Sequence, residues 1–220
     1  MSQQDPAAVA GVPTSSGITA SLKYADGTSK NVTLDKRTQY DDQVSDPKDL
    51  FTVKVDKNAA GNPTKVTVLP TGKGAGKASL RITFKHAPKI AVNVEVNIVK
   101  HEQFTLDAHP LPTYPGSDKV SQTTLHKIGK TDTWQRARLD LRSVLTDSHI
   151  IDVSTRPQTS FAAFDPGTDK PNGKVLAFQG RDITPTTGGK VDVKGTFAGA
   201  TSKGLAMTAL NEGMPVKSLK

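Results

Sequence analysis

Apolar residues recur at every second position through most of this chain. Ile18, Ala20, Leu22 and Tyr24 alternate with polar neighbours, followed by Val32 and Leu34, Phe51, Val53 and Val55, Val66 and Val68, and Leu80, Ile82 and Phe84. A period of two puts one such set on one face of a β-strand. Ile90, Val92, Val94, Val96 and Ile98 give the longest run, with Ala91, Asn93, Glu95 and Asn97 between them. That pattern predicts an antiparallel sheet with one buried and one wet face. Turn residues punctuate the strands at Ala25-Asp26-Gly27-Thr28 and at Asn58–Pro63, and Pro70 closes another. The second half is less regular: Ala137, Leu139 and Leu141, then Ile151 and Val153, Val191, Val193 and Phe197, and Leu205 and Met207. Trp134, Ala137, Leu141, Val144 and Leu145 also fit a helical period, so spacing alone leaves that segment open. Short strands with turns at these intervals predict a sandwich or barrel.

Two blocks recur in the same order. Asp26 precedes Asn31-Val32-Thr33, and Asp147, 121 residues on, precedes Asp152-Val153-Ser154. Gly76-Lys-Ala-Ser-Leu-Arg-Ile-Thr-Phe84 parallels Gly189-Lys-Val-Asp-Val-Lys-Gly-Thr-Phe197 at a displacement of 113. Ordered recurrence at nearly constant displacement implies two copies of one unit. The contested segment then occupies the place of Ile18–Tyr24, which predicts a strand. The expected organisation is an arm at 1–17, a β-sandwich at 18–100, a linker or first strand at 101–120, and a second, divergent sandwich at 121–220. The join falls near Lys100–Ser121.

The run Ala-Ser-Leu-Lys-Tyr-Ala-Asp-Gly-Thr-Ser-Lys-Asn-Val-Thr at 20–33 resembles the strand, Asp-Gly turn and Asp/Asn-Val-Thr of bacterial Ig-like group 2 domains, the invasin/intimin-type modules. Gly74–Phe84 and Ile90–Val99 follow in that family's order. The likeness covers about residues 15–100 and, more weakly, 120–210. It departs where Tyr40 and an acidic stretch replace the family's aromatic-Ser-Ser, and where Ser148 replaces the turn glycine. The resemblance implies two tandem Ig-like sandwiches and a non-catalytic role.

Composition narrows the reading. Aromatics make up 5% of the chain, so the core is built from Val, Ile, Leu and Ala. The chain has no cysteine, which excludes disulfides, thiolate metal sites and a cysteine nucleophile. The formal charge of +8 is spread along the chain, with 14 basic against 9 acidic residues in 1–100 and 15 against 12 in 101–220. No apolar run approaches the ~20 residues of a membrane span. The small, polar start, with Pro6 and Pro13, predicts a flexible arm without the features of a secretion signal.

Candidate chemistry is sparse. Gly72-Lys-Gly-Ala-Gly-Lys77 lacks the first glycine and the Ser/Thr of a phosphate loop, and a strand follows it. His86, His101 and His109 match no zinc spacing. Asp41, Asp42, Asp46 and Asp49 form an acidic loop without the glycine and terminal glutamate of a calcium site. No Gly-x-Ser-x-Gly elbow occurs. The densest basic group is Arg136, Arg138 and Arg142 with Lys127 and Lys130. On a strand, the three arginines share one face opposite Ala137, Leu139 and Leu141. Only Trp134 stands near as an aromatic, which argues against nucleic acid. The expected role of Arg136, Arg138, Arg142 and Trp134 is to meet a protein partner by charge complementarity.

Together these features predict a structural or binding module with no cofactor and no metal. The resemblance implies, as partners, other protein subunits of a phage capsid or tail, in a decoration or tail role, or else a cell-surface receptor. A cell-surface adhesin fragment or a glycan-binding module stands as the alternative.

Overall fold

The structure, a computed structural model, describes residues 5–41, 49–85 and 87–214. It is all-β and divides into two units, residues 11–100 and residues 101–214 joined by the N-terminal segment up to Ala10.

The first unit carries β1 (Ser16–Gly17), β2 (Ser21–Lys23), β3 (Ser29–Asn31), β4 (Thr38–Asp41), β5 (Phe51–Lys57), β6 (Pro63–Pro70), β7 (Gly76–Phe84) and β8 (Ala87–Ile98). One three-stranded sheet has the order β1-β6-β5 and another β4-β7-β8, with β2-β3 a hairpin. Between them lie Ala20, Val32, Leu50, Phe51, Val68, Ala78, Leu80, Ile82 and Ile98. The strand expected at Val32–Leu34 lies three residues earlier, at Ser29–Asn31. Val32 and Thr33 instead turn the chain inward.

The second unit holds β9 (His101–Leu111), β10 (Thr124–Ile128), β11 (Arg136–Leu145), β12 (Ile150–Asp152), β13 (Thr159–Phe164), β14 (Leu176–Gln179), β15 (Asp182–Pro185), β16 (Gly189–Phe197), β17 (Ala200–Thr201) and β18 (Leu205–Met214). Its sheets are β10-β18-β16-β13, with β17 on β16, and β12-β11-β15-β14, with β9 on β11. Leu125, Leu139, Leu141, Ile183, Val193 and Phe197 are fully buried among them. The segment that also fitted a helix is the strand β11.

Strand registers repeat between the units. Ser16 faces Val68 and Gly17 faces Thr67, as Ala137 faces Ile183 and Arg138 faces Asp182. Val53 pairs Val68 as Phe178 pairs Ile183. Thr38 pairs Phe84 as Thr159 pairs Phe197, and Leu80 pairs Val94 as Val193 pairs Leu205.

The same hydrogen bonds recur too. Thr33 Oγ1 accepts from Ala20 N at 2.7 Å, and Ser154 Oγ from Leu141 N at 2.9 Å. Thr38 and Thr159 donate their hydroxyls to the carbonyls of Val32 and Val153. Asn31 and Asp152 each accept the amide two residues on. Ser148 adopts φ +67° where Gly27 has +84°, so the turn keeps its shape without its glycine.

Two expectations are corrected. The arm is not wholly flexible: Pro6–Val9 forms a helical turn, α1, with Asp5 as N-cap. Ala7 and Ala10 are buried in the second unit, where Arg156 donates to the Ala10 carbonyl at 3.3 Å. A short apolar face on Ala7, Val9 and Ala10 gives this segment something to bury. The alternating face of β8 is not buried along its length. Ile98 is buried and Val96 half-buried, but Ile90, Val92 and Val94 are 55%, 54% and 39% exposed. Alternation assigns residues to a face, but burial also requires an opposing layer.

Candidate functional site

Strand β11 alternates without a break. Ala137, Leu139 and Leu141 have no exposure, and Arg136, Arg138, Asp140 and Arg142 stand on the other face. The predicted arginines therefore do share a face, flanked by Asp107 and His109 of β9 and by Asp182 and Thr184 of β15.

Every arginine there has a partner. Arg138 is bidentate to Asp182, at 2.8 and 3.1 Å. Its guanidinium holds the Asp182 carboxyl below the usual carboxylate range, and the same hydrogen bonds raise Arg138. Arg181 donates to Asp140 at 2.9 Å, Arg136 donates to Thr184 Oγ1 at 3.2 Å, and Arg142 lies 3.7 Å from Asp107 and 3.8 Å from Asp140. The face is a mixed ion-pair ladder, not a bare basic patch. Such partly exposed pairs contribute about 0–1 kcal/mol each.

Trp134 is not on this face. Its side chain is 8% exposed within the core of the second unit, with Lys127 Nζ 5.5 Å from the ring. Lys127 itself pairs with Asp132 at 3.0 Å.

Of the histidines, His109 borders this face. His109 Nδ1 lies 2.9 Å from the Val120 carbonyl, which can only accept, so Nδ1 carries the proton. Nε2 is buried without a hydrogen bond, 3.6 Å from Asp140 Oδ2. His101 Nδ1 meets Ser143 Oγ at 2.8 Å. Burial lowers the His101 pKa, against a smaller opposing pull from Asp5. His86, Asp42 and Asp46 lie outside the described residues. Among the described residues no three His, Asp or Glu side chains gather to hold a metal ion. The loop at Gly72–Lys77 leads into β7, and Lys100 Nζ donates to the Gly72 carbonyl at 2.7 Å.

Each unit has a shallow open cleft. One is lined by Thr33, Asp35, Thr38 and Tyr40, the other by Ser154, Arg156, Thr159 and Phe161. These are matching positions, so the clefts follow from the shared frame. Their charged lining differs: Asp35 with Lys36 and Lys57 in one, Arg156 with Arg181 in the other.

No family model matches the chain, and no curated protein matches it. Among solved structures, domains 5–6 of the S-layer protein SbsC match with 16% identity over 90% of this chain and 89% of that one, at a TM-score of 0.30. Likeness at that level carries no inference about this chain. Among the described residues no helix is long and apolar enough to cross a membrane.

Proposed function

We propose that the chain is a non-enzymatic structural module, two Ig-like sandwiches that hold protein partners within a larger assembly. What carries this reading is the kind of residue the two copies keep. Thr33 and Ser154, Thr38 and Thr159, and Val32 and Val153 all hold backbone or core. Exposed positions differ freely, as at Lys36 and Pro157, or Arg37 and Gln158. Duplication that preserves a frame and varies its surface is the behaviour of a scaffold. The likeness of residues 20–33 to bacterial Ig-like group 2 domains supports the same reading. The finer placement we propose is a phage virion, in the capsid decoration or tail. The lack of cysteine supports it, because both sandwiches can fold in the reducing cytoplasm where such particles are built.

The test is fractionation of the producing cells, with an antibody against the chain. The expected result is co-sedimentation with purified particles that survives a salt wash. Recovery as a free monomer would refute the assembly role, and recovery in the envelope fraction would replace the virion with the cell surface.

A further inference from the structure

The two copies differ in one strand. In the second unit, β9 runs antiparallel along all of β11, from Arg136 opposite Leu111 to Leu145 opposite His101. It brings Phe104, Leu106 and Ala108 into the core, where Phe104 meets Phe197 edge-on at 6.4 Å. On its other edge β11 pairs β12 and β15, using odd-numbered residues: Leu139 N donates to Arg181 O, Leu141 N to Ser154 Oγ and Leu145 N to His149 O. The even-numbered backbone groups are left for β9.

In the first unit the matching stretch is residues 16–24. Ile18 N donates to Val66 O, Ala20 N to Thr33 Oγ1 and Tyr24 N to Thr28 O, so these backbone groups face β6 and β3. Those of Gly17, Thr19, Ser21 and Lys23 face the opposite edge. Among the described residues no strand pairs with that edge.

The face behind it is correspondingly open. Leu139 and Leu141 have no exposure and Leu145 is 2% exposed; of their counterparts only Ala20 is buried, Ile18 being half-buried and Tyr24 48% exposed. Phe84, the counterpart of Phe197, is half-buried, and Val92 and Val94 are exposed beyond it. The edge also lacks the usual defences against pairing. From Ser16 to Leu22 it has no charge and no proline, and Lys23 is its single cation.

We infer that the Gly17–Lys23 edge of the first sandwich accepts an extended antiparallel strand in trans, seated as β9 is seated on β11. The occupant is a segment of a neighbouring assembly subunit. It carries Phe- or Leu-class residues at alternate positions, to lie opposite Leu22, Ala20 and Ile18, and a neutral or acidic residue opposite Lys23. This deepens the scaffold reading by naming a docking edge, and rests on that reading only for the source of the strand.

The test uses the full chain and a synthetic peptide with the sequence of residues 101–111, the strand that fills the matching place. In the free chain the amides of Thr19, Ser21 and Lys23 exchange rapidly with solvent. With saturating peptide they slow at least about tenfold. Ser21→Pro removes an outward amide and no internal hydrogen bond, and weakens peptide binding about tenfold. A peptide N-methylated at the positions of Thr105 and Asp107 loses binding with the protein unaltered. Protection of the three amides in the free monomer would overturn the inference. So would undiminished binding to Ser21→Pro or of the N-methylated peptide. Edge binding by a chain that never sediments with particles or envelope would sink the assembly reading and leave the edge standing.

Discussion

Replacing Ser154 with alanine tests the frame that both copies share. The hydroxyl accepts from Leu141 N at 2.9 Å and donates toward Asp152 Oδ1 at 2.5 Å, at a site where Ser154 is 5% and Leu141 0% exposed. Removing it strands a buried amide, which costs about 1–3 kcal/mol. The added loss of a hydrogen bond to a charged acceptor puts the expected destabilisation near 2–3 kcal/mol. The assay is urea unfolding followed by Trp134 fluorescence. The chain has one tryptophan, and it lies in the core of the second unit. With a denaturant slope of about 2 kcal/mol per molar for a domain of this size, the midpoint falls by about 1 M.

The deficit also depends on pH. Burial pushes Asp152 up, but hydrogen bonds from the Ser154 hydroxyl and amide, with Arg181 and Arg142, hold it below the usual range. A depressed carboxyl stabilises the fold above its unfolded pKa, and that stability is lost as pH falls through the folded value. The gap between wild type and Ser154→Ala is therefore widest at neutral pH, and narrows below the ordinary aspartate pKa of about 3.9. A midpoint unchanged within error at pH 7 would refute the claim that this hydroxyl carries the corner of the sandwich.

Two further outcomes follow from the same geometry. Ser148→Gly relieves a side chain held at φ +67° and is expected to stabilise the second unit by about 0.5 kcal/mol after glycine's extra chain entropy, raising its thermal midpoint. A lowered midpoint by differential scanning calorimetry contradicts it. Deleting residues 1–10 removes Ala7 and Ala10 from the core and the carbonyl that Arg156 bonds, and lowers the Trp134-monitored stability by about 1 kcal/mol. An unchanged unfolding curve would show that α1 contributes nothing to that core.

Alternation made the all-β class and the duplication legible, because Gly76–Phe84 and Gly189–Phe197 carry both the period and the matching residues. It also placed Arg136, Arg138 and Arg142 on one face, since a strand leaves no other arrangement. The partners that neutralise them were not legible. Asp182 and Asp107 reach the arginines through strand pairing between distant segments, one of which, β9, lies where the sequence left a linker or first strand open. The open edge was hidden for the same reason. Ile90, Val92 and Val94 spell a buried face in sequence yet are exposed, because alternation does not say whether a layer lies opposite.

The bond from Arg156 to Ala10 spans 146 positions of chain. A ribosome adding about 5–20 residues each second emits the α1 segment roughly 7–30 s before the arginine that secures it. During that interval the first sandwich can form while its leading end waits for a seat not yet translated. Birth order and assembly order thus run opposite for the α1 segment, which is made well before the seat it settles into.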